Sequence, residues 1–279
     1  MSIIDRCIRS LSQPLPIRTR WVRKLLRHVK LGSFEARLRG GGQRYQQYAM
    51  CLYYAALQAR NLGHRAVTGV ELGVAGGNGL LSMCEHADAI QKELGVEIVI
   101  TGFDAGSGIP ESSDPRDMKY YWSAGAFPMD LQALQARLAG RVELVIGDVA
   151  DTCAKWTPRT SAPIGMVAFD LDLYSATMSA FSLLEKENVL PRIWCYFDDI
   201  VDEPQSCITD FVGEAAAIEE FNRMPNRGRL RDNLSQARVF AGRPVEPWHS
   251  QIYIYHRLTH PQYNVPVYDR SKVGQLALK

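Results

Sequence analysis

No stretch of the 279 residues approaches the roughly 20 consecutive apolar positions that cross a bilayer, which predicts a soluble chain. No Cys-x-x-Cys pair occurs either. The six cysteines, Cys7, Cys51, Cys84, Cys153, Cys195 and Cys207, are scattered, and several sit in apolar runs as ordinary core residues, which predicts a reducing cytoplasm. A secretory pattern is missing at the start, where Asp5, Arg6 and Arg9 interrupt what would be its apolar stretch. There is no internal repeat and no low-complexity tract, and no nucleic-acid recognition motif accompanies the basic residues. With 46% apolar residues, a chain of this length buries a substantial core.

Acidic residues are scarce in one region only. Residues 1–65 hold 13 Lys and Arg against Asp5 and Glu35, a charge of +11, whereas the remainder carries −9. Trp21, Val22, Leu25, Leu26 and Val29 form an apolar stripe among Arg18, Arg20, Arg23, Lys24, Arg27 and Lys30. This reads as a helical cap (1–65) that packs on the acidic remainder or on a second subunit of a homo-oligomer; peripheral contact with an acidic membrane is the alternative. A main domain over 66–260 and an irregular tail over 261–279 complete the expected organisation.

The dinucleotide fingerprint Gly-x-Gly-x-x-Gly is also missing, because Ala75 and Asn78 stand where glycines are required after Gly73. What is there is an apolar strand, 67–72, that runs into Gly73, Gly76, Gly77 and Gly79 just before an amphipathic helix. Glycines let the backbone turn sharply and a ligand approach, and the helix start offers unpaired N–H groups, which is how α/β enzymes seat a nucleotide-like cofactor. Glu71 adds an acid beside the turn. Four further apolar strands end in acids. Residues 97–103 lead to Asp104, placed to accept two ribose hydroxyls at a strand's carboxyl end. Residues 142–147 lead to Asp148. Residues 164–169 lead to Asp170 and Asp172, and 191–197 repeat that pattern 28 residues later at Asp198 and Asp199. Leu173, Ala180, Phe181 and Leu184 mark one face of the intervening helix, so these two strands are expected to be parallel neighbours.

Asp170, Asp198 and Asp199 then converge at one sheet edge. Converging carboxylates repel, and a divalent cation or a shared proton resolves the repulsion. Oxygen ligands with no interleaved Cys or His suit Mg²⁺, with Mn²⁺ or Ca²⁺ as substitutes, and not zinc. The competing reading makes Asp172 and Asp199 helix caps.

Glu71-Leu72-Gly73-x-x-x-Gly77-x-Gly79 resembles the first motif of class I S-adenosylmethionine-dependent methyltransferases. Phe169-Asp-Leu-Asp-Leu-Tyr174-Ser-Ala-Thr177 with the later Asp198-Asp199 resembles macrocin-type sugar O-methyltransferases and, more loosely, catechol-type metal-dependent enzymes. The likeness spans roughly residues 65–200. It implies an α/β fold with a Rossmann-like seven-stranded sheet, mostly parallel with an antiparallel last strand, helices on both faces and an N-terminal helical extension. It places Glu71, Gly73, Gly77, Gly79, Asp104, Asp148 and Val149 around S-adenosyl-L-methionine, the last two beside the adenine. It makes Asp170, Asp198 and Asp199 the ligands of Mg²⁺ or another divalent cation, and Asp172 a neighbour of the metal or of the substrate.

The implied activity is O-methylation of a small-molecule hydroxyl acceptor, a sugar or a glycosylated natural product. Leu173 stands where some relatives carry a histidine base, so the base remains open among Asp172, His249 and His256. Two other classes stay open: a glycosyltransferase using Asp170-x-Asp172, and a non-catalytic assembly module.

Residues 105–129, rich in Gly and Pro, read as a lid whose Tyr120-Tyr121-Trp122 run can stack on a sugar or the cofactor. A helix over 45–62 is expected to cover the cofactor face. Residues 237–241 and 251–256 are expected to form the closing antiparallel pair.

Overall fold

A computed structural model describes residues 32–224, 233–238 and 246–267, together with residues 21, 23–25, 28 and 29. Its centre is a seven-stranded sheet in the order β3-β2-β1-β4-β5-β7-β6. The strands are β1 (Ala66–Leu72), β2 (Glu97–Asp104), β3 (Glu143–Ile146), β4 (Ile164–Phe169), β5 (Val189–Phe197), β6 (Asn233–Gln236) and β7 (Ile252–His256). β3, β2, β1, β4 and β5 pair in parallel, while β7 runs antiparallel to both β5 and β6. β4 is buried at every position, as an uninterrupted apolar run requires when both sheet faces are covered. The edge strand β6 buries Leu234 alone.

The helices are α1 (Phe34–Arg39), α2 (Gln46–Asn61), α3 (Asn78–Leu94), α4 (Leu131–Leu138), α5 (Val149–Lys155), α6 (Tyr174–Ala180) and α7 (Gly213–Arg223). One apolar core joins α1 to α4 to the sheet, and a second joins α5 to α7 to it, so helices cover both faces. Strand order reverses between β1 and β4, because β1 continues outward to β2 whereas the chain returns to place β4 on β1's other side. The crevice outside the carboxyl ends of these two strands is where such sheets bind ligands.

Two expectations change. The closing strand falls on Asn233–Gln236 instead of 237–241: Leu234 is its inward anchor, and Asn222 of α7 both accepts the Leu234 N–H (2.9 Å) and donates to the Leu234 carbonyl (2.8 Å). Ala237 adds one bond to the Ile252 carbonyl, and residues 239–241 lie outside the described residues. Second, α2 does not cover the cofactor face; it packs flat on β1, β4 and β5, with Ala49, Leu52 and Ala56 fully buried. Of the N-terminal stripe, Trp21, Leu25 and Val29 are exposed in the single chain, and Val22 and Leu26 lie outside the described residues. Contact with the main body is made by Arg23, which ion-pairs with Glu246. No helix among the described residues is long and apolar enough to cross a membrane.

Candidate active site

The glycine turn is shaped from behind as much as for a ligand. Gly73 has φ +81°, and a Cβ there would overlap the Asp170 carbonyl oxygen, so only glycine lets the turn after β1 approach the turn after β4. Gly79 leaves room for the Glu71 carboxyl, which is buried and accepts a hydrogen bond from the Tyr48 hydroxyl at 2.8 Å. Burial pushes the Glu71 carboxyl up to about 8. Gly77, with φ +75°, starts α3 and is covered by Leu134 of α4. Of this turn, Gly73 and Ala75 line the cavity in front of it, and Glu71, Gly77 and Gly79 do not.

That cavity has a volume of about 510 Å³, within the range of small-molecule sites. Asp104, Asp148 and Val149 line one side, Ile109, Pro110, Trp122 and Phe127 of the 105–129 segment close another, and Asp170, Asp172, Asp198 and Asp199 form the floor. Asp104 is less free than its position at a strand end suggests. Its Oδ2 accepts the N–H groups of Val74 and Ala75, both at 2.8 Å, and its Oδ1 accepts that of Gly106 at 2.6 Å. A carboxylate has about four lone-pair sites, so one remains for a ligand where two hydroxyl contacts were expected. Asp148 likewise caps α5 by accepting the Ala150 N–H at 2.8 Å while facing the cavity.

Asp170, Asp198 and Asp199 each present an oxygen within 4.8 Å of the others. Ladder bonds set them there: the Asp170 N–H continues to the Leu72 carbonyl and the Asp198 N–H to the Phe169 carbonyl, both at 3.0 Å, so each acid stands just past its strand. The Tyr196 hydroxyl donates to Asp198. Burial, and then the charges of Asp198 and Asp199, hold Asp170 well above the usual carboxylate range. Burial and then Asp172 do the same to Asp199. Asp172 is pushed up to about 7 by burial and by Asp198. No Lys or Arg ion-pairs with these acids among the described residues. An all-oxygen, like-charged, uncompensated cluster fits a hard divalent cation.

The histidines do not join this cluster. His256 pairs with Arg192 at the start of β5, so about 20 Å of strand separates it from Asp198, and its Nδ1 meets the Tyr263 hydroxyl at 2.8 Å. The expectation that it acts as the base is corrected by this register. His249 spends Nδ1 accepting the Glu246 N–H at 3.2 Å inside the Pro247–Ser250 turn and lines neither cavity described here. Of the three candidate bases, only Asp172 faces the acids. Its backbone is left-handed, with φ +61°.

A second cavity of about 410 Å³ opens on the other side of the acid pair, between Gln47, Trp122, Tyr196, Asp202, Trp248 and Gln251, and it shares Trp122, Asp198 and Asp199 with the first. Of the expected aromatic run, Trp122 alone reaches the cavities; Tyr120 bonds the Ser206 carbonyl and Tyr121 bonds Asp202. Asp117, buried, anchors the 105–129 segment by accepting the Ser175 N–H (2.8 Å) and hydroxyl (2.7 Å) at the start of α6. Glu246 joins Arg23 to the Trp248 indole N–H, so the basic N-terminal region braces one wall of the second cavity. The sequence did not single out Tyr196 or Trp248, because each is brought to the site by tertiary packing and carries no local motif.

Several solved structures resemble this one. CalS11, a calicheamicin methyltransferase, aligns at 20% identity over 86% of this chain and 91% of its own, with a TM-score of 0.50. The fold is that of a class I methyltransferase. The apo structure of CalS11, a TDP-rhamnose 3′-O-methyltransferase, aligns at 20% identity over 85% and 92% of the two chains (TM-score 0.44). The O-methyltransferase TomG from Streptomyces achromogenes, involved in tomaymycin synthesis and solved with S-adenosylmethionine, aligns at 16% identity over 90% and 94% (TM-score 0.41). No protein-family model and no curated protein matches the sequence.

Proposed function

We propose that this methyltransferase-fold chain is an S-adenosylmethionine-dependent O-methyltransferase that acts on a hydroxyl of a sugar or glycosylated natural product, with Mg²⁺ or another divalent cation held by Asp170, Asp198 and Asp199. The observation that carries the reading is that Asp198 and Asp199 line both cavities, so a cofactor in the first and an acceptor in the second meet at the acids. The cofactor supplies an already activated sulfonium methyl group, and a divalent cation, when bound, makes an acceptor hydroxyl easier to deprotonate. The chain's own work is orientation and proton removal. Gly73 and Ala75 leave space for the cofactor, Asp104 keeps one lone pair for its hydroxyls, and Asp148 and Val149 border its far end.

Trp122 and Trp248 offer indole surfaces suited to the apolar face of a sugar ring, with Gln47, Gln251 and Asp202 within the same walls for its hydroxyls. Holding the acceptor oxygen in line with the methyl group is worth many orders of magnitude in rate by itself. Asp172, in the cavity floor beside the acids, is the residue placed to take the hydroxyl proton. That CalS11 is a TDP-rhamnose 3′-O-methyltransferase is in keeping with a sugar acceptor. The test is transfer of radiolabelled methyl from S-adenosylmethionine to a panel of glycosides and sugar nucleotides with Mg²⁺ present. Label on a sugar oxygen supports the reading; label on nitrogen or carbon acceptors alone contradicts it.

A further inference from the structure

Glu214 sits in the first turn of α7, is fully buried, and lines neither cavity. Its two oxygens are divided between the two acid-bearing turns: Oε1 accepts the Leu171 N–H at 3.2 Å and Oε2 accepts the Asp199 N–H at 3.1 Å. Leu171 lies between Asp170 and Asp172, so this one carboxyl joins the turn after β4 to the turn after β5. A third bond, from the Asp172 N–H to Asp199 Oδ2 at 3.1 Å, closes the same junction. α7 reaches this place because Gly213 has φ +58° and starts the helix against Met118 of the 105–129 segment and the Asp172 carbonyl. An acid in a first helical turn ordinarily serves the helix dipole from the surface. Glu214 instead gives both oxygens to backbone N–H groups outside its helix.

We infer that Glu214 is a positioning residue which holds the turns bearing Asp170, Asp198 and Asp199 at ligand spacing before a cation arrives, and this rests on the metal reading above. Three like-charged carboxylates on two separate turns repel, and nothing in the sheet ladder beyond Asp170 and Asp198 resists their separation. Partners that orient metal ligands typically change metal affinity 10- to 100-fold when removed.

The experiment is Mn²⁺ titration of the full chain, read by the electron paramagnetic resonance signal of free Mn²⁺, for wild type, Glu214→Gln, Glu214→Ala and Asp198→Ala. S-adenosylhomocysteine affinity is measured alongside. A glutamine oxygen can accept one N–H while its amide faces the other, so Glu214→Gln is expected to weaken Mn²⁺ binding about 10-fold and Glu214→Ala about 100-fold, with S-adenosylhomocysteine affinity held within twofold. Mn²⁺ affinity unchanged in both Glu214 variants, with wild type binding and Asp198→Ala not, overturns this inference alone. No Mn²⁺ binding by wild type overturns the metal reading and the inference with it. Should the variants fail to fold, amide hydrogen exchange on the metal-free wild type decides: protected Leu171 and Asp199 amides are expected, and exchange as fast as in exposed turns overturns the role.

Discussion

The backbone N–H of Asp172 donates to Oδ2 of Asp199 across 3.1 Å, with Asp172 held in a left-handed conformation at φ +61°. The bond joins the two turns beside the cavity that Asp172 lines with Asp170, Asp198 and Asp199. Asp172→Asn preserves shape and removes the ability to take a proton. It is expected to lower kcat by about 10²- to 10⁴-fold, with S-adenosylhomocysteine affinity unchanged by calorimetry. A loss of both would make Asp172 structural.

Asp198→Ala removes a carboxylate from the cluster and the partner of the Tyr196 hydroxyl. The expected result is loss of metal-dependent turnover with cofactor affinity nearly unchanged, and the same loss in wild type on adding EDTA, restored by Mg²⁺. Turnover that survives chelation would show that the acids serve the chain without a cation.

Trp248 is held by Glu246, which is itself held by Arg23. Trp248→Ala is expected to raise the acceptor KM about fivefold and leave the S-adenosylmethionine KM unaltered, as the loss of one stacked ring of roughly 1 kcal/mol implies. Arg23→Ala should move the acceptor KM in the same direction by less. An unchanged acceptor KM in Trp248→Ala would take the acceptor out of the second cavity.

Glu71 gives the chain a pH-dependent stability of known sign. Its folded pKa of about 8 lies above its ordinary value of 4.5, so the folded state binds more protons than the unfolded state between those values. This group's contribution is complete below about pH 4.5 and is lost as pH rises toward 8. Glu71→Gln, which keeps the acceptor for Tyr48, is expected to flatten the fall in Tm between pH 5 and 8. An identical slope in wild type and variant would show Glu71 ionised in the folded protein.

The strand-end acids were legible because an apolar run that stops at an acid marks the end of a strand: Asp104 closes β2, and Asp148, Asp170 and Asp198 stand just past β3, β4 and β5. The antiparallel course of the last strand was expected from the resemblance, but its consequence for His256 was not drawn. β7 runs antiparallel, so its beginning, beside Gln251 and Trp248, lies at the site, and its end carries His256 away. Residues 237–241 outweigh Asn233–Gln236 in apolar content, yet the edge strand needed only Leu234 to face inward. Asp104 was read as a ligand group because sequence does not show that the turn it faces has N–H groups to satisfy. Glu214 looks like any helix-start acid until α7 is packed against the two turns.

Calorimetric titration with S-adenosylhomocysteine, with and without Mg²⁺ and with NAD and UDP as control ligands, tests the central claim most directly, because it needs no acceptor. The account predicts that S-adenosylhomocysteine binds with or without Mg²⁺ and that NAD and UDP do not bind. Metal-dependent UDP binding with no response to S-adenosylhomocysteine would contradict it and point to glycosyl transfer.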